Sequence, residues 1–339
     1  NLLEEQFAIR RALADGTAPS ATLLLTPRGW HLPEAHLLVD GAEISGAIFD
    51  FGLYFFHNTA ALLARGAAPA FLLPKLEHYL EARLWNNLFV LAQSILGLPL
   101  GTIRAAAEIE TVPALFMAEE ILYELRDHAV ALGFDRDDYL FSTIRTFAAD
   151  PTWLLPDLAG IPLESPPLAA ALRQLRFVCE RRGAAFIGNT GDAGNPVAAP
   201  DREASATELL ARPQGGTTST GLAAAIFHCI GYLAGWLAGT ASGGTGERTT
   251  DAALAELYRS QLWQWRRHGA ILEDGTVVSG RRLNSEIKAQ LGRWRDAIGD
   301  EAVRHGRYRE AATILLDLVL EQELPDFFTL PCYRRLLAG

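Results

Sequence analysis

Along the first two-thirds of the sequence, apolar runs too short for helices alternate with segments of helical length. Ala21–Thr26, Ala47–Phe51, Ala68–Leu73, Thr102–Glu110, Tyr139–Ser142 and Ala184–Gly188 are the strand candidates. The helical patterns between them cover Leu53–Ala64, Glu77–Leu96, Pro113–Leu132 and Pro167–Arg182. A strand followed by a helix and another strand forms a parallel unit, because the helix carries the chain back to the starting edge. The runs are apolar on both faces, as strands covered by helices on each side should be. The pattern predicts an α/β fold, either a barrel or a doubly wound sheet.

The alternation stops near Asn195. Residues 195–216 are rich in Pro, Ala, Gly and Thr and read as a connecting segment. Everything after it has helical spacing: Leu222–Leu237, Asp251–Arg267, Arg282–Ala297 and Tyr308–Glu321. Only Asp274-Gly275 suggests a small hairpin. The expected organisation is an α/β domain over 1–200, a linker over 201–216 and an all-helical domain over 217–339. A chain of 339 residues is long enough for one barrel-sized domain with an appendage.

A net charge of −10, with no Lys/Arg block, argues against a nucleic-acid surface. Small molecules are the expected partners. Cys179, Cys229 and Cys332 are widely spaced and form no CxxC pair, so they read as buried, reduced thiols of a cytoplasmic protein. The most apolar stretch, Gly221–Gly239, is interrupted by His228, Cys229 and several glycines. It reads as a buried helix rather than a membrane span.

Four charged residues stand at the ends of expected elements. Arg28 follows the first strand, Glu110 ends the Thr102–Glu110 strand, Asp138 opens the Tyr139–Ser142 strand, and Asp251 starts a helix. In an α/β barrel the carboxyl ends of the strands build the active site. Two carboxylates meeting there, with substrate oxygens and water, suit Mg²⁺. Spacing alone equally allows Asp138 and Asp251 to be helix or turn caps and Arg28 to be a surface ion-pair partner.

Longer motifs narrow the choice. Arg28-Gly29-Trp30-His31-Leu32-Pro33-Glu34, Phe49-Asp50-Phe51-Gly52-Leu53-Tyr54, Leu73-Pro74-Lys75-Leu76-Glu77 and Gly101-Thr102-Ile103-Arg104 resemble malate synthases of the plant and bacterial A type. So do Arg259-Ser260-Gln261, Trp263-Gln264-Trp265 and Thr329-Leu330-Pro331 near the C-terminus. The resemblance covers nearly the whole chain. It implies a TIM-type (β/α)8 barrel followed by an all-helical C-terminal domain that caps the barrel mouth. It also implies Mg²⁺ held by Glu110 and Asp138, Arg28 stabilising an enolate oxygen, and Asp251 as general base. Arg28, Gly133 and Asp138 would line the oxo-acid pocket. The implied reaction condenses an acyl thioester, acetyl-CoA in the family, with glyoxylate or a related 2-oxo acid, followed by thioester hydrolysis.

The sequence also departs from that family. After Arg126-Asp127-His128 it reads Ala131-Leu132-Gly133-Phe134-Asp135-Arg136-Asp137-Asp138-Tyr139, where the family has Gly-Leu-Asn-x-Gly-x-Trp-Asp-Tyr, so two Gly, the Asn and the Trp are replaced. Gly188-Asn189-Thr190-Gly191 replaces a Gly-Gly-Met-Ala-Ala motif, and a further strand is missing near Ala204–Thr207. The family's first strand would lie upstream of Asn1, so the expected barrel is either incomplete or completed by preceding chain. A carrier-protein-bound acyl donor, a different oxo acid or an inactive binding paralogue are the alternative expectations. His57 and His128 read as structural histidines, Trp263 and Trp265 as packing residues, and Gly243–Gly246 as a loop.

Overall fold

A computed structural model describes residues 9, 11–13, 15, 23–188, 200–239 and 250–337. The start of the Ala21–Thr26 run, the segment from Asn189 through the beginning of the linker, and the Gly243–Gly246 loop lie outside these residues. Contacts divide the chain into two compact units, one of residues 1–139 and 170–204, the other of residues 140–169 and 205–339.

The first unit is built on a sheet of five strands: β1 (Leu24–Leu25), β4 (Ala70–Leu73), β5 (Arg104–Glu108), β6 (Ala129–Gly133) and β7 (Ala185–Ile187). They lie side by side in that order, and every pairing is parallel. Strand order that follows chain order, with helices between, is the wrap of an α/β barrel rather than of a doubly wound sheet. Between β1 and β4 comes an antiparallel hairpin of β2 (Pro33–Val39) and β3 (Ala42–Ser45). Asp40 and Gly41 turn it, with φ of 52° and 80°. A tight hairpin turn with both central residues left-handed favours the Asp-Gly pair found here.

Three expected elements are replaced by others. Ala47–Phe51 is not a strand but the start of a helix, Gly46–Ala64, capped by Ser45. Its buried residues Phe51, Tyr54, Phe55, Asn58 and Leu62 recur at helical spacing, so its apolar run is one face of a helix. Tyr139–Ser142 is likewise helical, within Arg136–Thr146. Conversely, the expected helix Pro113–Leu132 breaks into Val112–Phe116 and Ala118–Glu124, and its end becomes β6. Ala129–Gly133 is extended because β5 and β7 supply hydrogen-bonding partners on both edges.

Aromatic rings fill the space between β4 and the helices Gly46–Ala64 and Tyr79–Ile95. Phe51 lies 5.0 Å from Phe71, 5.2 Å from Phe89 and 6.0 Å from Trp85, measured between ring centroids. Trp30, in the loop after β1, packs against Trp85 with ring centroids 4.4 Å apart and so ties that loop to the core. His128 is fully buried between Gln93 and Asn86, with both ring nitrogens at 2.9 Å from their partners. It is a structural histidine, as expected.

The second unit is helical, as expected, around Ser219–Leu237, Ala252–His268, Gly280–Ile298 and Tyr308–Leu320. The 274–275 turn is closed by an isolated bridge between Ile271 and Val277. Buried polar side chains on Ala252–His268 hold the extended segment 153–156. Gln264 accepts from Leu155 N at 2.9 Å and donates to Trp153 O at 2.7 Å, and Trp265 Nε1 donates to Leu155 O at 2.8 Å. Trp263 Nε1 donates to Glu321 O at 2.9 Å, so both tryptophans are packing residues. The helices Gly46–Ala64 and Ser219–Leu237 are long and apolar enough to cross a membrane by length and composition alone, but Ser219–Leu237 is largely buried, as expected. Ser219–Leu237 carries much of the helical unit's core, including Leu222, Ile226, Ile230 and Leu233.

Candidate active site

Because the five strands are parallel, their carboxyl ends share one edge, and charged residues follow four of them closely. Arg28 comes after β1, Lys75 after β4, Glu110 after β5, and Asp135 and Asp138 after β6. This is the rim on which barrel enzymes place their chemistry.

Glu110 and Asp138 meet there, around a residue to which the sequence reading gave no role. Lys75 Nζ lies 3.3 Å from Glu110 Oε2 and also pairs with Asp138 Oδ2. The backbone N–H of Lys75 donates to Glu110 Oε1 at 2.5 Å. Lys75 therefore holds both oxygens of Glu110, and it does so from a left-handed backbone with φ of 57°. Few residues with a Cβ adopt that conformation. The residue after Glu110 is fixed as well: Thr111 caps the next helix by accepting from Ala114 N and donates to Leu76 O at 2.7 Å.

Two more carboxylates stand beside this pair. Glu108 ends β5, two residues before Glu110 and hence on the same side of extended chain. Asp135 Oδ1 accepts from the N–H groups of Asp137 and Asp138 at 2.9 and 2.8 Å. Asp135 is thus the cap of the Arg136–Thr146 helix, and Asp138 sits in its first turn rather than capping it. Burial and the Asp135 charge push Glu108 up to about 7. Burial and the Asp138 charge push Asp135 up to about 6. Glu110 is also driven upward by burial, against the pull of Lys75. Burial alone would lower the Lys75 ammonium, but Glu110 and Asp138 outweigh it and hold it at about 12. Negative charge exceeds positive charge in the cluster.

Gly133 ends β6 under this group; a Cβ there would lie 3.4 Å from Glu108 Oε1. Glu108 and Asp135 were missed from sequence although a signal existed. Alternation along a strand puts Glu108 with Glu110, and an acid three residues before Asp138 has cap spacing.

Arg28 is the hub of a separate ion network. Nε and Nη2 grip both oxygens of Asp50 at 2.9 and 2.8 Å, Nη2 also donates to Glu34 Oε2 at 2.8 Å, and Nη1 donates to Pro33 O at 3.1 Å. Burial opposes the charged guanidinium, but Asp50 and Glu34 more than offset it and raise its pKa. These bonds leave the second Nη1 hydrogen uncommitted. Gly46 makes room for the arrangement, since a Cβ on it would sit 2.8 Å from Arg28 Nε. Gly29, the next residue, abuts the Lys75 side chain; its Cβ would be 3.3 Å from Lys75 Cβ.

Asp251 belongs to the helical unit. It is the N-cap of Ala252–His268, accepting from Leu254 N at 2.9 Å, and its side chain is exposed.

Residues 22–212 match the family model "Malate synthase, TIM barrel domain", and residues 216–336 match "Malate synthase, C-terminal". The chain belongs to the malate synthase family. The malate synthase of Streptomyces clavuligerus is 40% identical, with 94% of this chain and 70% of that protein covered. That of Arabidopsis thaliana is 36% identical, covering 94% and 68%. The Streptomyces alignment extends over 379 residues, more than the 339 of this chain, so segments of that relative have no counterpart here. A solved structure of Haloferax volcanii malate synthase, a pyruvate/acetyl-CoA ternary complex, is similar at 11% identity and a TM-score of 0.43, covering 89% of this chain and 84% of that one. Family membership makes the fold an α/β barrel domain followed by a helical one.

The residues at the rim fit a hard divalent cation. Among the described residues no three His, Cys, Asp or Glu side chains form a ready-made metal cage. Glu110 and Asp138 do converge, already gathered around positive charge. Mg²⁺ usually takes one or two protein carboxylates and completes its shell with water and substrate oxygens.

Proposed function

We propose that this chain condenses the acetyl group of acetyl-CoA with glyoxylate to give malate, with Mg²⁺ held by Glu110 and Asp138. The observation that carries the reading is the convergence of those two carboxylates on one cation at adjacent strand ends, in a chain of this family. Bound there, Mg²⁺ would supply Lewis-acid polarisation to the oxo acid's carbonyl. The backbone at Gly133 would border the oxo acid.

The protein's own groups account for the remaining chemistry. A thioester methyl is a weak acid, so its proton leaves only toward a well-placed base while the enolate oxygen meets positive charge. Asp251 is the proposed base: its carboxylate takes the proton from the methyl carbon. The uncommitted Nη1 hydrogen of Arg28 faces the enolate oxygen, and Asp50 and Glu34 keep the guanidinium charged and fixed. The enolate carbon then bonds to the aldehyde carbon of glyoxylate, the new alkoxide takes up a proton, and water cleaves the thioester, releasing free thiol. A reducing compartment such as the cytoplasm suits the buried free thiols of Cys179, Cys229 and Cys332.

Thiol release from acetyl-CoA, followed with a chromogenic disulfide, tests the proposal. Release should require glyoxylate and Mg²⁺ together; its absence with both present overturns the reading. A carrier-protein-bound acetyl donor is the second reading. Release from an acetylated carrier and not from acetyl-CoA would select it.

A further inference from the structure

Lysine is scarce in this chain. Of 30 basic residues only Lys75 and Lys288 are lysines, and every other cation is arginine. Lys288 is exposed on the Gly280–Ile298 helix. Lys75 sits where positive charge is most needed, and its ammonium occupies the gap between Glu110 and Asp138.

The two kinds of cation differ in what they allow. A guanidinium locks onto carboxylates through a rigid fork, as Arg28 does on Asp50, whereas an ammonium is a compact point charge on a flexible stem. It can leave its partners by simple rotations about that stem. The backbone N–H of Lys75 holds Glu110 Oε1 independently of the side chain, so Glu110 keeps its orientation when the ammonium departs. A divalent ion bridging Glu110 and Asp138 would need the same gap. Two positive charges that close together repel strongly even at the effective dielectric of a protein surface.

We propose that Lys75 is a tethered placeholder: its ammonium neutralises Glu110 and Asp138 in the metal-free protein and is displaced when the divalent ion binds. This rests on the metal reading of the site. The placeholder lowers the apparent metal affinity, because binding must first break the ammonium's ion pairs. It also spares the metal-free protein a bare cluster of Glu108, Glu110, Asp135 and Asp138.

Two measurements test it without turnover. In wild-type protein labelled at lysine, the ε-position spectrum contains only two residues. Titration with Mg²⁺ should shift the Lys75 signal and leave that of Lys288 in place. In parallel, Mn²⁺ binding is followed by paramagnetic resonance for wild type, Lys75→Met and Lys75→Arg. Lys75→Met should bind Mn²⁺ at least tenfold more tightly and melt at lower temperature than wild type without metal, the gap closing at saturation; Lys75→Arg should bind no more tightly than wild type. If Lys75→Met does not fold without metal, the wild-type titration decides. Binding by Lys75→Met equal to or weaker than wild type, or an unmoved Lys75 signal at saturating Mg²⁺, overturns the placeholder while leaving the metal site intact. No Mn²⁺ binding by any of the three proteins overturns the metal site as well.

Discussion

Two groups of buried polar side chains, one around Gln264 in the helical unit and one around Lys75 in the sheet unit, differ in effect. In the helical unit, both amide atoms of Gln264 and the indole N–H of Trp265 bond to backbone atoms of residues 153–155, so these polar side-chain groups are satisfied. In the sheet unit, Glu108, Glu110, Asp135 and Asp138 crowd one rim with Lys75 as their cation, and burial drives Glu108 and Asp135 up to about 7 and 6. The first arrangement is closed and structural. The second is held away from its ordinary ionisation and carries more negative than positive charge. Burial of polar groups alone does not mark a functional site; burial with charge left unbalanced does.

That contrast can be broken by substitution, and the largest effect should fall on Asp251. Asn is as good a helix cap as Asp, so Asp251→Asn separates the base from the cap. Initial rates should drop by about 10²–10⁴ in kcat with the melting temperature unchanged. Normal turnover by Asp251→Asn would show Asp251 to be a cap and nothing more.

Arg28→Lys comes next. An ammonium cannot reproduce the forked grip on Asp50 together with the bond to Glu34. Loss of a fixed donor to a developing oxyanion predicts a fall in kcat of roughly 10²–10³. Steady-state kinetics in which only KM changes would assign Arg28 to ground-state binding instead.

Gln264→Ala probes the closed side of the comparison. It leaves Leu155 N and Trp153 O without their partner, at a cost of about 1–3 kcal/mol for each buried group left unsatisfied. Chemical denaturation should register this loss while kcat in the folded fraction stays constant.

The smallest effect concerns His128. Burial lowers its pKa, so the unfolded chain takes up a proton more readily than the folded one. The stability it contributes is complete above the ordinary histidine value of 6.5 and is lost as pH falls below it. Melting temperatures across that range should decline less steeply for His128→Gln than for wild type.

How far the sequence foretold this arrangement depends on where the deciding forces act. β4 was legible because a short, fully apolar run flanked by Gly and Pro admits little else. Ala47–Phe51 misled because all of its residues but Asp50 are apolar, and only Phe51, Tyr54 and Phe55 taken together show the helical period. Ala129–Gly133 misled in reverse: its extended form is imposed by β5 and β7, which lie far from it in sequence. At the site, Glu110 and Asp138 stood out by position and motif. The approach of Lys75 to both is set by a left-handed turn after β4, which no local pattern announces.

Strand order that follows chain order also governs assembly during synthesis. Each βα unit can dock on the edge left by its predecessor as it leaves the ribosome, N-terminal parts first. Lys75 is translated before Glu108, Glu110, Asp135 and Asp138, so its cation is already on the growing edge when the acids arrive. The nascent chain need never gather those carboxylates without a counterion.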